Sequence, residues 1–335
     1  MRPPAAFRVM RNTRAVFFWL LFFCAKRKVT FKLAKKSNAR QTENFFVQMK
    51  NTCYNLRGNS NLINGVIVMN VKLFVSDIDG TLLPEGGRVS RENIRAIRAL
   101  ESAGVRLVLA TGRMYKATLP IAEQLGVHVP IIAYNGALIK SSAGEVLHTQ
   151  FMNEVIVKKI LTFFEQRNWH LQSYSEDELY FPKRDRYVQY YEDMQKITGN
   201  EVGWDGMHEH TTNVTKLLSI SGKSEELANR MREIKKFFGA QVEVTRSNDL
   251  FAEFLAGGCT KAGAVKVIAD QLGIDRTEIM AIGDSENDLP MLRSVGRSIA
   301  MGNAIPAVKR SCFYRTDLCE NDGFAKAVYE YVLRE

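Results

Sequence analysis

Cysteine is scarce: five in 335 residues, at 24, 53, 259, 312 and 319, odd in number and without regular spacing. That pattern excludes a disulfide-stapled secreted scaffold and points to a reducing, cytoplasmic compartment. Histidine is equally sparse. His128, His148, His170, His208 and His210 are scattered, with no HExxH and no His/Cys cluster at zinc-ligand spacing, which argues against a zinc enzyme. His208 and His210, near Trp204, read as a solvated loop, with substrate contact the alternative. Acid is nearly absent from residues 1–68, where thirteen Lys/Arg face only Glu43. The remainder carries 33 basic and 35 acidic residues, so the formal net charge of +10 belongs to the leader. It therefore gives no reason to expect nucleic-acid binding by the rest. The apolar run Ala15–Ala25 is eleven residues long, short of the about 20 that span a bilayer as a helix, so a membrane role is not expected. It resembles a signal-peptide core without an A-x-A cleavage site, and a basic, acid-poor leader also suits a transit peptide. The favoured expectation is a mis-assigned start, with translation from Met69 and residues 1–68 disordered or dispensable.

What the chain does have is four apolar runs or helix starts, each punctuated by polar residues. Leu73-Phe74-Val75-Ser76 runs into Asp77-Ile78-Asp79-Gly80-Thr81, a buried strand stopped by two carboxylates and a glycine. Like charges about 4 Å apart at an effective dielectric of about 20 cost on the order of 4 kcal/mol, so a cation is expected between them. Arg106 to Ala110 ends in Thr111-Gly112-Arg113 and passes into a helix; a hydroxyl and free N–H groups at a helix start suit an anion. Lys261 opens a helix after Gly257-Gly258-Cys259-Thr260. A cation there opposes the helix dipole, which suggests an anionic partner supplied by the fold. Ile279 to Gly283 ends in Asp284-Ser285-Glu286-Asn287-Asp288, where Asp284 and Asp288 are the hard oxygen ligands Mg²⁺ takes. All four place their polar groups at or just beyond a strand's C-terminal end or a helix start, where open α/β sheets hold ligands.

In that order and with those residues, the chain resembles the haloacid dehalogenase superfamily, and within it the Cof-type phosphatases of small phosphorylated metabolites. The likeness runs from about residue 69 to 335 and includes Asn135-Gly136-Ala137, Ala300-Met301-Gly302-Asn303-Ala304 and Asn321-Asp322-Gly323. Ala262 departs from the pattern, where the branch usually has Gly. The resemblance implies Asp77 as nucleophile forming an aspartyl-phosphate, and Asp79 as general acid and base. Members with a long-lived phosphoenzyme carry Thr at the second position, so Asp79 implies fast turnover. It further implies Mg²⁺ on Asp77, the Asp79 backbone carbonyl and Asp284, with Asp288 acting through water. Thr111, the Gly112 N–H, Lys261, Asn287 and the Ile78 N–H would cradle the phosphoryl oxygens. The substrate class implied is a sugar phosphate or similar small phosphomonoester. The alternatives are a phosphomutase of the phosphomannomutase type and a non-catalytic phosphometabolite-binding regulator. Oligomeric state stays open.

The expected fold is α/β: a Rossmann-like doubly wound parallel sheet with an inserted α+β cap. Ser90–Ala103 suits a crossover helix with Ile94, Ile97 and Leu100 inward and Gly104 as its stop. The 150 positions between Thr111 and Lys261 exceed one crossover, so residues 152–251 are assigned to the cap and residues 69–151 and 252–335 to the catalytic core. Within the cap, helices are expected over 154–168, 186–197 and 225–238, and strands over 169–173, 178–181, 216–221 and 242–245; Ala252 to Leu255 should return to the core. Tyr174, Tyr180, Tyr187, Tyr190 and Tyr191 read as cap core and rim.

Overall fold

The computed structural model describes residues 60–63, 66–69, 71–84 and 86–333. Ser60–Ile63 (β1) and Val66–Met69 (β2) form a two-stranded ladder, a correction to the expectation of disorder up to residue 68. Otherwise the disorder and targeting readings of the leader lie outside the described residues. No helix among the described residues is long and apolar enough to cross a membrane.

The main sheet begins with β3 (Leu73–Ser76), β4 (Arg106–Ala110) and β5 (Pro130–Ala133). The hairpin β6 (Leu138–Ser141) and β7 (Val146–Thr149) extends it antiparallel. An inserted region supplies β8 (Gln172–Ser175), β9 (Glu178–Phe181), β10 (Asn200–Glu201), β11 (Val214–Ile220), β12 (Val242–Asn248) and β13 (Phe251–Ala256). The chain then completes the main sheet with β14 (Ile279–Gly283), β15 (Arg297–Ala300) and β16 (Tyr314–Arg315), giving the order β16-β15-β14-β3-β4-β5-β6-β7. From β16 to β5 every pairing is parallel. β3 lies at the centre with all four residues buried, because helices cover both faces and leave no polar side for alternation.

The helix Arg91–Ser102 is capped by Ser90 Oγ, which accepts from Asn93 N at 3.0 Å. Its buried stripe is Asn93, Ala96, Ile97 and Leu100. Asn93 also turns inward, because its amide donates to Leu82 O and accepts from Ala325 N, while Ile94 is half-buried and packs against the same core.

The second sheet has the order β10-β9-β8-β11-β13-β12. Phe251–Ala256 is therefore an interior strand of the inserted sheet, antiparallel to both neighbours. This corrects the expected return to the core at residue 252. The crossing comes at residues 257–260, and an apolar run bounded by turns does not say which sheet it joins. Alternation sorts the two faces. Leu217, Ala252 and Phe254 pack in one cluster with the helices Glu154–Glu165 and Ser224–Phe238. Leu218, Phe251 and Leu255 belong to the cluster that also holds the main sheet and Tyr191 of the helix Arg186–Gln195. Lys216 and Glu253 share that second face. A short helix, Gly203–Glu209, stands where a loop was expected.

Candidate active site

Parallel register brings the motifs to one level. Ser76 pairs with Leu109 on one side and with Ile282 on the other, so Asp77, Thr111 and Asp284 all leave the sheet at the C-terminal ends of adjacent strands. The turn after β3 is closed by the Ile78 carbonyl, which accepts from the N–H groups of Thr81, Leu82 and Leu83 at 3.2, 2.9 and 2.8 Å. Ile78's side chain is buried in the core. Gly80 takes φ +72°, and a Cβ there would lie 2.6 Å from Asp284 Oδ2; only glycine lets the two acidic loops meet.

At the floor, Lys261 Nζ donates to Asp77 Oδ1 at 2.6 Å and to Asp288 Oδ1 at 2.8 Å. All three side chains are almost wholly buried. The misplaced cation at a helix start thus has its anionic partners from β3 and from the loop after β14. Thr260 caps that helix by accepting from Gly263 N at 3.1 Å, which sets the first turn from which Lys261 reaches the site. Asp288 Oδ2 accepts from the N–H groups of Asp284 and Ser285 at 3.0 and 3.1 Å. Thr81 Oγ1 donates to Asp284 Oδ1 at 3.2 Å.

One ammonium does not balance three carboxylates. Burial first, then Asp288, pushes Asp77 well above the ordinary carboxylate range although Lys261 pulls it down. Burial and Asp288 push Asp284 up to about 7. One oxygen from each of Asp77, Asp284 and Asp288 can lie within 4.8 Å of the other two. All are hard oxygen donors, and their excess negative charge is what a divalent cation would relieve. The acid cluster therefore fits a Mg²⁺-type ion.

The floor opens into a cavity of about 850 Å³ between the two sheets. Asp77, Asp79, Thr111, Gly112, Asp284 and Asn287 line it from the main sheet. Tyr190, Tyr191 and the hairpin tip Ser247–Leu250 line it from the inserted region. Of the expected site residues, the structure brings Asp77, Lys261, Asp284 and Asp288 into direct contact or ligand range. Thr111, Gly112 and Asn287 lie around them, and the Ile78 side chain points into the core. Asp79 is half exposed, and Arg113 holds its carboxylate with two bonds, Nε to Oδ2 at 2.8 Å and Nη2 to Oδ1 at 2.5 Å. The sequence carries no signal for that pairing beyond the place of Arg113 directly after the Thr-Gly pair. His208 pairs with Glu165 and His210 stacks on Tyr180; neither lines this cavity. Of the five tyrosines, Tyr174 and Tyr191 are buried and Tyr190 is exposed.

Several signature residues hold the loops. Asn303 Nδ2 donates to Gly80 O at 2.8 Å, while its Oδ1 accepts from Cys319 N at 3.0 Å. Asn135, in the left-handed region at φ 53°, accepts from Asn287 Nδ2 at 2.9 Å and donates to Glu253 Oε2 at 2.7 Å. Glu253 also pairs with Lys216 at 3.0 Å, and Lys216 Nζ donates to Gly112 O at 2.6 Å. A Cβ at Gly112 would lie 3.2 Å from Glu253 Oε1, so glycine permits this approach. Neither Lys216 nor Glu253 carried a signal in the sequence.

The profile of the haloacid dehalogenase-like hydrolases matches residues 74–328. A 5-amino-6-(5-phospho-D-ribitylamino)uracil phosphatase of Bacillus subtilis is 30% identical over 270 residues, 79% of this chain and 97% of the relative. A haloacid dehalogenase-like hydrolase of Bacteroides thetaiotaomicron, 30% identical, superposes with a TM-score of 0.70 over 77% of this chain and 98% of its own. A subclass IIB sugar phosphatase of the same superfamily, 25% identical, superposes with a TM-score of 0.69 over 78% of this chain and 98% of its own. With its strand-end acids, buried lysine and matching extent, the chain belongs to the haloacid dehalogenase-like hydrolases, among their phosphatases.

Proposed function

We propose that the chain is a Mg²⁺-dependent phosphatase of small phosphomonoesters, sugar phosphates or similar metabolites, acting through an aspartyl-phosphate on Asp77. The observation that carries this reading is the buried Lys261–Asp77 contact of 2.6 Å at the floor of the cavity. Lys261 engages Oδ1 and leaves Oδ2 of Asp77 to attack phosphorus as the ester oxygen departs. Asp79 protonates that leaving oxygen, then takes the proton from the water that cleaves the phospho-aspartate. Arg113 keeps the Asp79 carboxylate on the exposed side of the cavity, where a leaving group would pass.

The Thr111 hydroxyl, the N–H groups of Ile78 and Gly112, Lys261 and Asn287 supply donors for the phosphoryl oxygens. Asp77, Asp284, Asp288 and the Asp79 backbone carbonyl would hold Mg²⁺, which when bound neutralises the crowded acids and the charge on the transferring group. The inserted region acts as a cap: with Tyr190, Tyr191 and the tip Ser247–Leu250 it walls the leaving-group end and excludes water there. The relatives named for a phosphoribitylamino-uracil and for sugar phosphates support the small-metabolite class.

The test is a phosphatase screen over sugar phosphates, nucleotides, pyridoxal phosphate and flavin mononucleotide, with Mg²⁺ or with EDTA. Turnover of small phosphomonoesters that vanishes in EDTA is expected. Undiminished activity in chelator contradicts the metal assignment, and no turnover across the panel contradicts the phosphatase reading.

A further inference from the structure

We infer that Glu253, a buried residue of the cap, is a positioning residue for the phosphoryl site. It acts by fixing the amide orientation of Asn287 through Asn135. This rests on the phosphatase reading, in which Asn287 faces the phosphoryl group.

An ionised carboxylate can only accept. Glu253 is 1% exposed and ion-paired with Lys216, so whichever group of Asn135 faces it must be the NH₂. The structure has that arrangement, with Asn135 Nδ2 at 2.7 Å from Glu253 Oε2. Asn135 is thereby compelled to present Oδ1 on its other side, where only a donor is acceptable. Asn287 meets it with Nδ2 at 2.9 Å. The Asn287 oxygen then faces Ser285 Oγ, which donates to it at 2.7 Å.

Each amide in the relay is set by the one before it, and the carboxylate at the far end sets the first. One N–H of Asn287 is used by Asn135, leaving the second for the cavity that Asn287 lines. Were the relay to flip, Asn287 would turn a carbonyl oxygen toward the phosphoryl oxygens and repel them. Asn135 and Asn287 are themselves 2% and 6% exposed, so water has little room to replace a lost link. The cap thus completes the phosphoryl site from above, and its Lys216 holds the Gly112 carbonyl at the same junction.

Glu253→Met keeps the length but removes the acceptor, so both amides can flip. With p-nitrophenyl phosphate, kcat should fall by about 10-fold or more, and inorganic phosphate should inhibit more weakly. Glu253→Gln should behave differently. The Glu253 oxygen that meets Asn135 is also the one that meets Lys216 at 3.0 Å, so Lys216 holds the glutamine oxygen in that place and Asn135 keeps its orientation. The glutamine variant should stay within about threefold of the parent's kcat.

Should Glu253→Met lose the fold with Lys216 unpaired, Asn135→Gly removes the relay at a left-handed position that glycine tolerates. It leaves the ion pair alone and carries the same expected loss. A folded Glu253→Met or Asn135→Gly variant with the parent's kcat overturns the inference. So does a Glu253→Gln variant no better than Glu253→Met. An active parent with Glu253→Met and Asn135→Gly unaffected refutes only this relay, whereas an inactive parent refutes the phosphatase reading with it.

Discussion

The two sheets treat buried charge in opposite ways. In the main sheet, Asp77, Asp284 and Asp288 crowd around one ammonium, and burial pushes Asp77 and Asp284 upward. In the inserted sheet, Lys216 and Glu253 form a closed pair whose further bonds go to Gly112, Ser247 and Asn135. The first arrangement is incomplete without a cation and costs stability; the second is satisfied by the protein itself. An unbalanced cluster marks where chemistry is done, and a balanced one marks where parts are held in place.

The largest expected effect is on the unbalanced side. Asp77→Asn should remove the nucleophile and lower turnover by at least about 10³-fold while the melting temperature stays near the parent's. A steady-state assay beside a thermal melt checks both halves. On the balanced side the loss should be stability instead. Lys216→Met leaves Glu253 buried without its cation and should cost about 3–5 kcal/mol in a denaturant titration. A variant as stable as its parent would mean that the pair is not sealed from water.

The comparison sharpens with Asp284→Asn, which should stabilise the protein in chelator by about 1–3 kcal/mol while abolishing turnover. The sign follows from the upward shift of Asp284 to about 7. The folded state binds the proton more tightly than the unfolded chain. Asp284 therefore makes stability fall as pH rises from about 4 to about 7, and the variant should lose that slope in chelator-containing melts. The smallest effect belongs to a contact that joins the two regions away from the chemistry. Tyr134 donates to Asp177 Oδ1 at 2.6 Å, and Asp177 also accepts from Lys116 N at 3.1 Å. Tyr134→Phe should cost about 0.5–1.5 kcal/mol by removing one hydrogen bond, with kcat changed less than by Glu253→Met.

The same contrast explains what could be read from the chain. Leu73–Ser76 and Ile279–Gly283 were visible as apolar runs cut by acids because parallel strands buried on both faces leave an uninterrupted pattern. Lys261 was visible through its conflict with the helix dipole, and that conflict had the predicted resolution in Asp77 and Asp288. Lys216 and Glu253 were silent, since a charged residue in an alternating strand ordinarily faces solvent. Here alternation points both toward the other sheet, a fact that depends on the tertiary arrangement. Arg113 shows no role in the sequence because its partner Asp79 lies 34 positions earlier on a neighbouring strand's loop. Ala252–Leu255 does not reveal its sheet in the sequence, because strands declare their period and not their neighbours.

The central claim is that Asp77 takes the phosphoryl group while Asp79 governs its release. Asp79→Asn should slow release by on the order of 10²-fold or more and let the intermediate accumulate. Acid-quenching that variant with Mg²⁺ and p-nitrophenyl phosphate, whose leaving group departs without a proton, followed by peptide mass spectrometry, should show one added phosphoryl group on the peptide carrying Asp77. The label should be absent when Asp77→Asn is combined with it. A phosphoryl group on any other residue, or product formed by the variant with no labelled peptide at any quench time, would contradict the account.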